Sequence, residues 1–284
     1  AAAAPVRPAQ TSQSTSEAKE GGPGALPLGG ASVEPPVSPA ASREDFDDMI
    51  IIGPGAVPEF EGADDLQAIP FTVFSLRDGG RSVELEGPGG RIDVIDQGGV
   101  LGFDAGPAFN VRFPREDVGN AAIDSLEEVD FAFELGAFAR YVASPGWATN
   151  DSLSTRLTVT SDVSGTHDGT VAALESEYSW FPRRNIRLSV GPRVTWASDG
   201  FTQAYFGVTP SGAAASGLAA YDPGSGLRSL GAQATASFYF SPAHGVFALM
   251  RYDRLSSDLA DSPIVEEIGS ADQMLVGIGY TYRF

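Results

Sequence analysis

The chain is 284 residues long, 42% hydrophobic and free of cysteine, and it carries a formal net charge of -19 with one lysine, Lys19. This excludes disulfides, thiolate chemistry and Cys-ligated metals, and it makes nucleic acid an unfavourable partner. No apolar run approaches the roughly 18 residues that a membrane-spanning helix needs, so any passage through a bilayer falls to strands.

Residues 1–44 are rich in Ala, Pro, Ser and Gly and show no apolar period, which reads as a disordered arm lying in the periplasm ahead of a barrel. The first residues lack the charged start and apolar core of an export signal, so the sequence reads as an exported, mature form. Residues 45–284 then read as repeated strands. Met49–Phe60 is the first, Ile69–Arg77 the second and Arg81–Asp96 the third, the last with a Gly-rich bend at Gly87-Pro88-Gly89-Gly90. In the fourth, Leu101, Phe103, Ala105, Phe109 and Val111 alternate with Asp104, Asn110 and Arg112. The fifth sets Phe131, Phe133, Leu135 and Tyr141 against Asp130, Glu134 and Arg140. Leu153–Asp162 is the sixth, with Arg156 on its polar face. The seventh sets Leu174, Tyr178 and Trp180 against Glu175 and Glu177, and the eighth sets Ile186, Val190, Val194 and Trp196 against Arg187 and Arg193. A short ninth strand is expected near Phe201, and the tenth and eleventh cover Leu230–Phe240 and Val246–Leu255.

The twelfth is the clearest. Met274, Val276, Ile278, Tyr280, Tyr282 and Phe284 form one apolar face, while Leu275, Gly277, Gly279, Thr281 and Arg283 form the other. A period of two is a strand. Eleven residues at ~3.3 Å, tilted by ~45°, span roughly 25 Å, the height of an outer-membrane barrel's apolar band. The fold expected is therefore all-β, a transmembrane antiparallel up-and-down β-barrel of about twelve strands. Asp78-Gly79-Gly80, Ser198-Asp199-Gly200 and Ser241–Gly245 read as short periplasmic turns. Tyr205–Gly226 and Ser256–Ser270 read as long extracellular loops.

Several motifs, taken in order, carry a resemblance. Pro58-Glu59-Phe60-Glu61-Gly62 stands near the start. Tyr205-Phe206-Gly207-Val208-Thr209-Pro210 and Ser216–Tyr221 follow, then Asp261–Val265 and the terminal Gly279–Phe284. Together, over about residues 48–284, they resemble the MipA/OmpV family of Gram-negative outer-membrane proteins. Phe60 stands where the family pattern has tyrosine, and Ala63 where it has serine. The resemblance implies an outer-membrane barrel, one member being described as a scaffold that joins a lytic murein transglycosylase to a murein synthase. It assigns no functional residue.

The candidate site residues are the polar strand faces. Asp104, Arg112, Asp130, Glu134, Arg140, Arg156, Glu175, Glu177, Arg187, Arg193 and Arg283 are expected to line the lumen and to pair with one another, together with Glu84, Glu86, Arg251 and Asp253. Tyr205, Phe206 and Gly207 are too apolar for an exposed loop tip and are expected to turn inward as a constriction, with Ala213–Ala220 narrowing the outer mouth. Ser164, His167 and Asp168 lie close in sequence, but no nucleophile motif surrounds them. Asp162 and Asp168 do not have the spacing of an EF-hand loop. Glu61, Asp64, Asp65, Asp258, Asp261, Glu266 and Glu267 read as a solvated acidic surface on the outer loops. The function expected is a non-enzymatic envelope scaffold without cofactor. Its partners would be outer-membrane lipid, lipopolysaccharide and murein-processing or other envelope proteins. A narrow channel for small solutes is the alternative.

Overall fold

The structure, a computed structural model, describes residues 48–78, 81–95, 102–115 and 118–284. The expected arm, residues 1–44, and the turn at Gly79-Gly80 lie outside the described residues. Alternation of apolar and polar side chains is realised as β1 (Met49–Pro58), β2 (Leu66–Asp78), β3 (Arg81–Glu86), β4 (Gly89–Asp93), β5 (Phe103–Arg112), β6 (Ala132–Ala143), β7 (Ser152–Asp162), β8 (Thr170–Arg183), β9 (Ile186–Ala197), β10 (Gly226–Tyr239), β11 (His244–Leu255) and β12 (Asp272–Arg283). Each strand pairs antiparallel with its sequence neighbours. β1 closes the ring on β12 through Met49↔Arg283, Ile51↔Thr281 and Ala56↔Val276. Closure leaves no sheet edge along that seam, as backbone in a bilayer requires.

The count of twelve agrees with the sequence reading through two differences that offset each other. The stretch expected as one strand, Arg81–Asp96, is a hairpin of β3 and β4, with Glu86 opposite Gly89. Its two-residue loop starts at Gly87, whose φ of 52° is the left-handed conformation that tight hairpins demand and that glycine adopts without strain. The strand expected near Phe201 is instead a helix, α1 (Asp199–Phe206). Its buried residues Phe201, Thr202, Tyr205 and Phe206 repeat at helical, not strand, spacing. A second helix, α2 (Pro210–Ser216), follows. Thr209 caps it by accepting from the Gly212 amide, Pro210 opens it, and Gly217 ends it at φ 82°. Ser198-Asp199-Gly200 is consequently no turn at the terminus end. It begins the long β9–β10 connection at the opposite end, alongside the β1–β2, β5–β6, β7–β8 and β11–β12 connections.

The outer face of the barrel is apolar. Ile52, Leu135, Leu174, Val190, Leu230, Met250 and Ile278 are all exposed there. Near the terminus end it carries a band of rings. His244 stacks with Phe240, Tyr280 and Tyr282, and Tyr282 with Phe284, with centroids 5.2–6.3 Å apart. At the other end, Phe113 meets Phe131 at 5.7 Å and Phe109 meets Phe133 at 6.3 Å. Two aromatic girdles flanking an apolar belt are the signature of a barrel that spans a membrane. Among the described residues no helix is long and apolar enough to cross one.

Inside, the wall divides into two sectors. β11, β12, β1 and β2 turn Phe247, Leu249, Leu275, Met49, Ile51, Phe71 and Val73 inward as one apolar cluster. The Phe71 and Phe247 rings lie parallel, 2° apart in plane and 5.9 Å between centroids. Gly277 faces Phe71 so closely that an added Cβ would stand 2.9 Å from the ring. Leu275, the apolar exception on the polar face of the last strand, belongs to this cluster. The Phe71→Ala variant is expected to lower unfolding stability by about 3–5 kcal/mol, read as a shift in the urea midpoint of the detergent-solubilised barrel. A shift below about 1 kcal/mol would show that this sector is not closely packed.

Candidate functional site

The remaining wall, mainly β3 to β10 with Arg251 and Asp253 of β11 and Arg283 of β12, turns charge inward, and almost every charge has a partner. At one level Arg91 bonds Glu86 at 2.8 Å and pairs with Glu84, while Arg140 pairs with Asp104 through Nε at 2.7 Å and reaches Glu84 at 3.7 Å. At another, Glu175 accepts from Arg193 Nε at 2.8 Å and from Arg156, and Arg193 also reaches Asp253 at 3.0 Å. Glu177 accepts from Gln233 at 3.3 Å and lies 4.0 Å from Arg187 Nη2, which donates to the Ser179 hydroxyl at 2.9 Å. Arg283 lies over the Tyr239 ring at 4.6 Å. The expected lumen residues therefore sit on the inner wall, with one correction. Asp130 lies ahead of β6, which starts only at Ala132, and stands exposed at the rim.

The densest part of the network is Glu134. Its carboxylate accepts from Arg112 Nε, Asn110 at 3.2 Å, Thr160 at 3.0 Å and His167 Nε2 at 3.2 Å. The other His167 nitrogen, Nδ1, accepts from the Gly169 amide at 3.0 Å, which fixes the proton on Nε2. His167 is thereby committed to Glu134. Ser164 donates instead to Asp162 and stands exposed, so the two do not form a nucleophile–base pair. Both Asp162 oxygens are taken by amides, from Ser164 at 2.8 Å, His167 at 2.7 Å and Asp168 at 3.0 Å, which shapes the β7–β8 turn.

Glu61 is the residue that the sequence reading misplaced. Expected among solvated loop acids, it is buried in the barrel mouth, where it accepts from Arg112 at 3.0 Å and from Arg228. The surrounding motif explains the placement. Phe60 packs into the loop cluster, and Gly62 takes φ 94° where a Cβ would press on Val265 at 2.8 Å. The Gly62 amide donates to Gln273 at 3.1 Å, and its carbonyl accepts from Ser270 at 2.7 Å.

Above this charged layer sits α1. Phe201 lies over the Arg112 guanidinium at 4.5 Å and within 5.8 Å of that of Arg228, so its ring spans the mouth between opposite walls. His167 meets Phe201 edge-on at 5.4 Å and Tyr205 at 5.7 Å. Tyr205 and Phe206 are buried against Val129, Leu255, Leu259 and Val265, and Gly207 closes α1 by donating to Gln203 at 2.9 Å. Burial raises the Tyr205 phenol above its usual range. Arg115 donates to the Tyr205 carbonyl at 3.1 Å, and burial pushes its guanidinium down to about 10, still charged at neutral pH. A second, outer layer is drawn wholly from connections: Phe60, Ala63, Ile123, Leu126, Val208, Leu218 and Ile264. α2 belongs to this outer layer, tied down where Glu127 accepts from Thr209 and from Ser211 at 3.1 Å.

Between the charged ladders lies a cavity of about 80 Å³, lined by Glu86, Arg91, Asn110, Arg112, Glu134 and Glu175 among others. Replacing Glu134 by Ala would leave Arg112 short of a buried partner and is expected to cost about 3–5 kcal/mol of stability. Arg254→Ala, which breaks an exposed pair with Asp272, should cost under about 1 kcal/mol in the same urea titration.

A family model described as MltA-interacting protein MipA matches residues 50–284. The MltA-interacting proteins of Escherichia coli (strain K12) and Shigella flexneri are each 31% identical to the chain over 99 residues. That stretch is 35% of this chain and 38% of each relative, so the match spans well under half the length of those curated relatives. Among solved structures, OmpT, an outer membrane protein of Vibrio cholerae, aligns with a TM-score of 0.36 at 9% identity, over 77% of this chain and 65% of that one. Salmonella typhi OmpF, in complex with daunomycin, aligns with a TM-score of 0.35 at 15% identity, over 79% and 58%.

Proposed function

From a chain that belongs to the MipA family, we propose a non-enzymatic outer-membrane barrel that works as an envelope scaffold. It presents its terminus-end turns and N-terminal arm to a murein-processing partner, of which the MltA named for its relatives is the model. The observation that carries this reading is the filled lumen. Paired charges occupy one sector, an apolar cluster the other, and α1 covers the mouth. A barrel so occupied acts through its surfaces. The connections at the terminus end between β6 and β7, β8 and β9, and β10 and β11 are short and well suited to a fixed docking face. The membrane is the outer one, since closed antiparallel barrels with an apolar belt and two girdles are built for it.

The alternative, a narrow solute channel, draws on the cavity that Arg112, Glu134 and Glu175 help to line, which would become a passage if α1 moved. Two measurements separate the readings. Purified full-length protein in detergent is expected to retain a purified MltA homologue from the same organism in a pull-down. In planar bilayers it is expected to give no conductance above baseline. Steady conductance of the unmodified protein without such retention would establish the channel. The location of the block is testable in the same bilayers. Deleting Ser211–Gly217 removes only α2 from the outer layer and should leave the barrel closed. Replacing Phe201, Tyr205 and Phe206 by Ala together should create conductance.

A further inference from the structure

The rim at the terminus end carries a feature that neither the lumen nor the family relationship uses. Trp147 is 72% exposed, the most exposed large apolar side chain among the described residues. It does not hang free. The loop between β6 and β7 is held by Asp151, whose carboxylate accepts from the amides of Gly146 at 3.1 Å, Trp147 at 2.8 Å and Ala148 at 2.9 Å, and from the Tyr178 hydroxyl at 3.0 Å. Gly146 at φ 74° and Asn150 at φ 57° supply the tight bends. The Trp147 ring is thereby set on Tyr178 at 5.3 Å, and Tyr178 stacks on Trp180 at 5.6 Å and 18°. Tyr178 and Trp180 belong to the outward face of β8, the same face as exposed Leu174, so this row of rings lies on the membrane side of the wall.

Directly beyond Trp180, β8 ends and turns through Arg183, Arg184 and Asn185, all exposed. Neither guanidinium has an ion pair or hydrogen bond among the described residues, whereas inward arginines such as Arg112 and Arg193 are paired and exposed Arg254 is held by Asp272. The opposite rim carries exposed Asp64, Asp65, Glu128, Asp258, Asp261 and Glu267. In a strongly acidic protein, unpaired positive charge thus stands beside a rigid aromatic row at the rim where β1 begins and β12 ends.

We propose that Arg183, Arg184 and the Trp147–Tyr178–Trp180 row form a binding site for an anionic phospholipid in the leaflet at the terminus end. Between Trp180 and Arg183 the register shifts, so that three residues of β8 oppose only the step from Leu188 to Ile186 on β9. Arg183 therefore lies about 7 Å further along the strand than Trp180, roughly 5 Å along the membrane normal at a ~45° tilt. Rings at the interface therefore place the guanidiniums at phosphate depth. Arginine suits the role because its planar fork binds phosphate through two parallel hydrogen bonds, and the fixed rings supply a platform for the glycerol and upper chains. Near an anionic surface each arginine contributes enough that losing both lowers affinity by about tenfold or more.

The test uses full-length protein reconstituted in phosphatidylethanolamine vesicles containing a minor fraction of phosphatidylglycerol, re-extracted in mild detergent, with retained lipid read by native mass spectrometry. The unmodified protein should retain phosphatidylglycerol preferentially. The R183Q/R184Q double variant should lose that preference by about tenfold, and W147A should weaken retention without changing which lipid is favoured. R254Q, at the other rim, should behave like the unmodified protein. Heat-sensitive migration in SDS gels verifies that each variant is folded. Equal retention of the two lipids by the unmodified protein, or unchanged retention by R183Q/R184Q, would overturn the site. Arginine-dependent sedimentation with insoluble murein in the absence of any lipid preference would also overturn it, and would make the platform a glycan contact.

Discussion

Side chains that point into a closed barrel have no other surface to go to, and the wall cannot widen to accommodate a mismatch. Every second residue of twelve strands is committed to one shared space. This chain fills that space in two ways, and the boundary between them follows the strand order. Where β11, β12, β1 and β2 meet, the filling is apolar and turns on the parallel pair Phe71–Phe247. Elsewhere it is arginine and carboxylate. The use of arginine in preference to lysine follows from the geometry, because a guanidinium can bridge acids on different strands. Arg193 does so between Glu175 on β8 and Asp253 on β11, and Arg112 between Glu134 on β6 and Glu61 in the β1–β2 connection. A compact ammonium carries its three donors on one nitrogen and lacks the planar fork that reaches acids on different strands in fixed geometry.

Much of this was legible from periodicity alone, because a barrel in lipid converts alternation into facing without exceptions from neighbouring domains. Tyr178 and Trp180 against Glu175 and Glu177, or Val190 and Trp196 against Arg187 and Arg193, could be assigned to outside and inside from the sequence. The misreadings arose where period and length conflict. Gly87-Pro88-Gly89-Gly90 fits a bent strand or a hairpin, and the left-handed turn at Gly87 decides for the hairpin. Near Phe201 a short strand fits the local apolar residues, but Phe201 with Tyr205, and Thr202 with Phe206, carry the helical interval. Asp130 has the parity of the inner face but lies two residues short of β6, so parity without a strand places nothing. Glu61 was invisible for a different reason. Its partners Arg112 and Arg228 are 51 and 167 residues away, and no local pattern announces a contact made only when the ring closes.

The cap and the charged layer under it are one structure. Glu61 enters from the connection that also supplies Phe60 to the outer cluster, Arg112 carries Phe201 on its guanidinium face, and Ser262 donates to the Phe206 carbonyl at 2.6 Å. To open the mouth, α1 would have to expose Phe201, Tyr205 and Phe206, each buried at a gain of roughly 1.5–3 kcal/mol. Their sum, about 5–9 kcal/mol, corresponds to an open population near one in a thousand or lower, since each ~1.4 kcal/mol is a factor of ten. Loss of the ring over Arg112 and of the carbonyl contacts of Arg115 and Ser262 would lower that population further. All of these contacts lie at the mouth, at the end of the barrel opposite the short β6–β7, β8–β9 and β10–β11 connections.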